Sequence, residues 1–139
     1  MSLLRRSRSP ISAETHRRLA RLFVLGLGAA RVGAGMAQVV APRVFLTSIG
    51  APEAPAQTQM GFRMKGGRDV AMGLMTWAAR GDDDRLAEIA MAAVVIDLVD
   101  GSSVVLDRGR TLGPPADPLG AVLGFGVAAA AWWAARGLR

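Results

Sequence analysis

The sequence predicts an all-α, polytopic membrane protein: an antiparallel bundle of four transmembrane helices. Three observations carry that expectation. Hydrophobic residues are 51% of the 139 and charged residues 20%, a balance that excludes a disordered polar chain. The apolar residues gather in four stretches close to the roughly 20 residues that a bilayer span needs. Ala, Gly, Leu, Val and Met surround the helical wheel in these stretches, and Lys occurs once in the chain. Helices apolar all round belong in lipid or inside something large, and a chain of this length cannot build so large a shell.

The elements follow in order. Residues 1–18 form a basic arm with Arg5, Arg6, Arg8, Arg17 and Arg18. Its last part, after Pro10, reads as an interfacial helix whose arginines meet anionic headgroups. Residues 19–139 form one transmembrane domain. Its first span, about 19–40, carries Arg21 and Arg31 and stops before Pro42. The long connection that follows holds Pro42, Gly50, Pro52 and Pro55, which interrupt any continuous helix. The second span, about 61–79, carries Arg63, Lys65, Arg68 and Asp69. The turn at Asp82, Asp83 and Asp84 caps and charges the start of the third span, about 86–106. Pro114 and Pro115 mark the last connection, and Asp117 followed by Pro118 is a good helix start. The fourth span, about 118–135, contains no charge over 18 residues.

Charge sets the expected orientation. Of the 17 basic residues 16 are Arg. With the N-terminus inside, ten of these lie on the cytoplasmic side, Arg80, Arg85, Arg136 and Arg139 among them, against Arg43, Arg108 and Arg110 outside. That is the positive-inside pattern, and it places the chain in the cell inner membrane with both termini cytoplasmic. Trp77, Trp132 and Trp133 precede Arg80 and Arg136, so all three anchor the inner interface. A cleaved leader is disfavoured by Arg31 within the apolar run.

The charges inside the spans are the candidate site. At a rise of about 1.5 Å per residue, Arg31 lies about 18 Å from the cytoplasmic end of its helix, Arg68 and Asp69 about 15 to 16 Å, Asp97 about 16 Å and Asp100 about 21 Å. Three helices of alternating direction thus put two cations and three carboxylates in one layer near the midplane. Lone charges at that depth cost at least about 2.5 to 3.5 kcal/mol each, so mutual pairing is expected. The Arg fork suits it, because it bridges two carboxylates. Arg63 and Lys65 lie close enough to the outer end to snorkel away from this layer. Small residues four apart, Gly26 with Ala30 and Ala34, and Gly120 with Gly124 and Ala128, together with Gly73 on the second helix, are expected helix-packing positions.

Other chemistry is poorly supported. No Cys and a single His, His16, leave no thiolate nucleophile, disulfide or multi-histidine metal site in one chain. Gly66 and Gly67 lack the strand, Lys and Ser/Thr of a phosphate loop. The basic arm has no aromatic platforms, which disfavours nucleic acid. No catalytic residue, cofactor or metal is expected. The partners are the bilayer, through the basic arm, and a second copy or a larger membrane complex.

The run Gly66-Gly67-Arg68-Asp69-Val70-Ala71-Met72-Gly73, taken with Arg31-Val32-Gly33, Pro42, Gly50 and Asp97, resembles an uncharacterised family of small four-helix membrane proteins loosely grouped as DoxX-like. The resemblance covers roughly residues 20 to 135 and implies the four-helix membrane fold. DoxX-like relatives are linked to quinone-associated or oxidative-stress roles, yet this chain lacks the Cys for redox exchange and a His pair for haem. Two functions remain open: a non-enzymatic accessory or scaffold subunit whose charges serve assembly, and a module that binds or transports a lipid, quinone or other small molecule at the charge cluster. A dry, fully paired cluster would favour the first, and a cavity reaching it from one side the second.

Overall fold

The structure, a computed structural model, describes residues 12–107 and 116–139. Five helices account for most of them: α1 (Ala13–Val40), α2 (Pro42–Ser48), α3 (Ala56–Ala78), α4 (Asp83–Asp107) and α5 (Ala116–Leu138). There is no strand among the described residues. Three helices are long and apolar enough to cross a membrane: α1, α4 and α5. The length of α3 matches theirs, but Arg63, Lys65, Arg68 and Asp69 lower its hydropathy.

Several boundaries differ from the sequence expectation, each for a local reason. Ser12 caps α1, its hydroxyl accepting from the Thr15 amide at 3.2 Å. The helix therefore starts at Ala13 and takes Arg17 and Arg18 out of the expected arm into a continuous rod. Pro42 begins α2 instead of only ending α1, because its fixed φ and missing N–H suit the first helical turn. The connection is thereby shortened. Gly50 closes it at φ 89°, a conformation that glycine adopts without strain. Ala56 then opens α3 directly after Pro55. Asp82 accepts from the Arg85 amide at 3.0 Å and starts α4 three residues before the expected span. The expected turn at Pro114 and Pro115, and the outer Arg108 and Arg110, lie outside the described residues. The side chains of Asp117 and Pro118 do so as well.

The long helices pack as two intimate antiparallel pairs, α1 with α3 and α4 with α5, while α3 and α4 meet only sparingly. Glycine makes the first pair possible. A Cβ at Gly35 would lie 2.6 Å from the Gly66 carbonyl oxygen, and one at Gly66 equally 2.6 Å from that of Gly35. Seven residues away along each helix, a Cβ at Gly73 would run into the Gly28 carbonyl oxygen, and one at Gly28 into the Thr76 side chain at 2.8 Å. In the second pair a Cβ at Gly124 would come within 2.9 Å of the Gly101 Cα. Small-residue contacts of this kind let backbones approach where lipid offers no hydrophobic drive.

Of the expected packing glycines, Gly73 and Gly124 are at these close approaches, and Gly120 has ordinary contact with Val104. Gly26 is not at a helix contact: nothing lies within 4 Å of the position of its Cβ. It stands two residues from Gly28, hence on the opposite face of α1.

One end of the molecule is densely filled. Ala20 and Val24 of α1, Leu86, Ala87 and Ala90 of α4, and Ala134, Ala135 and Leu138 of α5 form its core. Arg17, Arg18, Arg80, Arg85 and Arg136 are exposed at this same end. So are Trp77, Trp132 and Trp133, each a little under half exposed. Arg136 stacks on Trp132 at 4.5 Å, and Trp133 meets His16 edge-on at 5.0 Å.

Candidate functional site

Halfway along the helices five predicted charges converge, and a sixth joins them. Arg31 of α1 is buried and extends its fork to both neighbouring helices. Nη1 donates to Asp69 Oδ1 of α3 at 2.9 Å, and Nη2 to Asp97 Oδ2 of α4. Asp69 and Asp97 are buried too. The Gly28 and Gly35 contacts hold α1 close to α3 on either side of Arg31, which keeps the guanidinium within reach of Asp69. Arg68 grips Asp100 with two bonds, Nη1 to Oδ1 at 3.2 Å and Nη2 to Oδ2 at 2.7 Å. This pair is partly exposed and joins α3 to α4, helices that otherwise have little contact.

Lys65 is the residue that sequence reasoning placed elsewhere. Instead of snorkelling outward it turns inward, its Nζ 2.8 Å from Asp69 Oδ2 and 3.0 Å from Asp100 Oδ2. It stands one helical turn before Asp69, so the i,i+4 spacing was its available signal. Its inclusion changes the balance: three cations, Arg31, Lys65 and Arg68, now face three carboxylates, Asp69, Asp97 and Asp100. Arg63, by contrast, is exposed.

Five of the six, all but Arg68, form the floor of a cleft of about 800 Å³. Its walls come from the half of the molecule opposite the packed end and are mostly apolar, with Leu27, Ala30 and Ala34 of α1, Phe45 and Ile49 of α2, Phe62 of α3, and Leu123 and Val127 of α5. Phe45 and Phe62 are neighbours at 5.7 Å between ring centres, so α2 shapes one side of the cleft. Gln57, Thr58 and Ser103 add hydroxyl and amide groups. Below Arg31, toward the packed end, only a pocket of about 10 Å³ remains. That is about one water's worth of space.

Gln38 also lines the cleft, and no sequence argument had singled it out. It lies two turns beyond Arg31 on the same face of α1, the only amide in that span, which was the signal available. It is 3% exposed, and its Oε1 has no hydrogen-bond partner among the described residues. Arg31 Nε and Arg68 Nε are likewise buried without partners. Buried polar atoms are rarely left so unless a ligand or water supplies the bond.

Among the described residues no group of three or more His, Asp or Glu side chains is placed to hold a metal ion. His16, packed between Trp133 and Gly137, is remote from the cleft.

The sequence model of the domain of unknown function DUF4267 matches residues 28–138, a stretch that contains every member of the charge network. The chain belongs to the DUF4267 family. This DUF4267 protein is therefore a small membrane protein of a family without an assigned activity. The expected kinship with an uncharacterised small family holds at that level, and the DoxX-like link has no match behind it. No curated protein and no solved structure matches this DUF4267 chain.

Proposed function

We propose that this DUF4267 protein is a membrane-embedded binding module that takes an amphiphilic small molecule into the cleft above its charge network. The observation that carries the reading is the 800 Å³ cleft floored by Arg31, Asp69 and Asp97. This volume is within the roughly 300 to 1,000 Å³ of small-molecule sites, which combine mostly apolar walls with a few convergent polar groups. A network serving only to fix helix register would be expected in a dry, close-packed interior.

In this reading α3 spans the bilayer with α1, α4 and α5. Its intramembrane charges are neutralised by partners on α1 and α4, so its low hydropathy does not bar it from lipid. The arginine-rich, tryptophan-bearing end faces the cytoplasm, and the cleft half faces the other side of the cell inner membrane. The basic N-terminal residues sit on anionic headgroups. The rival reading, an accessory or scaffold subunit that assembles with its own copy or a larger complex, is favoured by one observation: all six network charges find partners.

Native mass spectrometry of the detergent-purified protein separates the two. Ala34 lines the cleft and is exposed, so Ala34→Phe fills space without crowding the core. The binding reading expects the wild type to carry a small molecule that the variant loses at unchanged thermal stability. A copurified molecule unaffected by the substitution, or none in either protein, would leave the scaffold reading standing.

A further inference from the structure

We infer that the cleft selects an electroneutral, hydroxyl-bearing amphiphile with a single chain, and rejects amphiphiles of either net charge. This rests on the binding reading above and adds the class of ligand. The first argument is electrostatic. Arg31, Lys65, Asp69, Asp97 and Asp100 line the cleft floor, and Arg68, behind it, balances the third carboxylate by pairing with Asp100, so that every charge is already paired. A charged headgroup entering a mostly apolar space gives up its hydration and finds no unmatched counter-charge there. A neutral head avoids that cost.

The second argument is the set of hydrogen-bonding positions left over. Arg31 engages Asp97 through Oδ2, so the other carboxylate oxygen can accept. Lys65 donates to Asp69 and forms an ion pair with Asp100 at 3.0 Å, so at least one of its three donors remains. Asp97 and Lys65 both line the cleft. A hydroxyl is the smallest group that serves both, donating to the carboxylate while accepting from the ammonium. The buried, unpartnered Oε1 of Gln38 asks for one more donor further along α1, which a head with two hydroxyls supplies. The third argument is size: about 800 Å³ suits a drug-sized molecule with one chain and not a whole two-chain phospholipid.

The test uses full-length protein in neutral detergent and four probes with the same twelve-carbon chain: monododecanoylglycerol, dodecanoate, dodecylammonium and dodecylphosphocholine. Binding is read by native mass spectrometry and by thermal shift. The wild type is expected to prefer monododecanoylglycerol by about tenfold or more over both charged probes. Asp97→Asn removes one negative charge, leaving the floor one positive, and is expected to turn the preference toward dodecanoate. Lys65→Met leaves it one negative and turns the preference toward dodecylammonium. Lys65 is about one-third exposed, so this second variant keeps the test usable if Asp97→Asn fails to fold. Preference of the wild type for a charged or zwitterionic probe would overturn the selectivity while leaving the binding reading intact. Saturable binding of none of the four would overturn both. Equal response of the variants and the wild type would show that charge balance does not select.

Discussion

Replacing Arg31 by Met removes the one side chain among the described residues that forms ion pairs from α1 to α3 and α4 at once. Two carboxylates lose a charge-assisted bond, but unequally. Asp69 keeps Lys65 at 2.8 Å, whereas Asp97 has no other ion-pair partner among the described residues. Breaking a buried pair by removing one member typically costs about 3 to 5 kcal/mol, because an uncompensated charge is left behind. Most of that cost should therefore sit on Asp97. The double variant Arg31→Met/Asp97→Leu removes the stranded charge and is expected to return to within about 1 to 2 kcal/mol of the wild type. Asp97→Asn alone leaves Arg31 bound to Asp69 and should cost about 1 to 3 kcal/mol. The assay is equilibrium unfolding in mixed micelles by SDS titration, followed by far-UV circular dichroism and by the fluorescence of the three Trp. A double variant as unstable as Arg31→Met would refute the assignment of the penalty to Asp97. A loss below about 1 kcal/mol for Arg31→Met would mean that water in the cleft already solvates these charges.

The same titration tests the backbone contacts: Gly35→Ala, with its Cβ 2.6 Å from a carbonyl oxygen, should destabilise by about 1 to 3 kcal/mol, while Gly26→Ala, with nothing within 4 Å, should be neutral or gain a few tenths. If both are neutral, the α1–α3 approach is not as close as described. Because the chain has no Cys, single replacements report sidedness. Ser103→Cys in the cleft half and Arg85→Cys at the basic end are both exposed, and a membrane-impermeant maleimide applied from outside the cell should label the first and spare the second. The reverse pattern would invert the proposed orientation.

Depth was legible in the sequence. A helix rises a fixed distance per residue, so counting from the turns brings Arg31, Arg68, Asp69, Asp97 and Asp100 to one level whatever the details of packing. Composition likewise determined that long apolar helices would form and that a charged layer would need internal pairing, because lipid offers buried charge no other partner. Partner choice was not legible. Whether Arg31 meets Asp97 or Asp100 depends on the rotation of each helix about its axis, and the contacts at Gly28, Gly35, Gly66 and Gly73 set how α1 and α3 face each other. Those glycines are spaced by seven on both helices, a pattern distinct from the four-residue spacing of small-residue ridges. The inward turn of Lys65 and the cleft itself were also beyond a single-helix reading. Space between helices belongs to no helix alone: it exists because α1 and α3 close tightly on one another, α4 and α5 do the same, and the two pairs join through an apolar core at one end and through long charged side chains at mid-length, where only the tertiary structure assembles the floor.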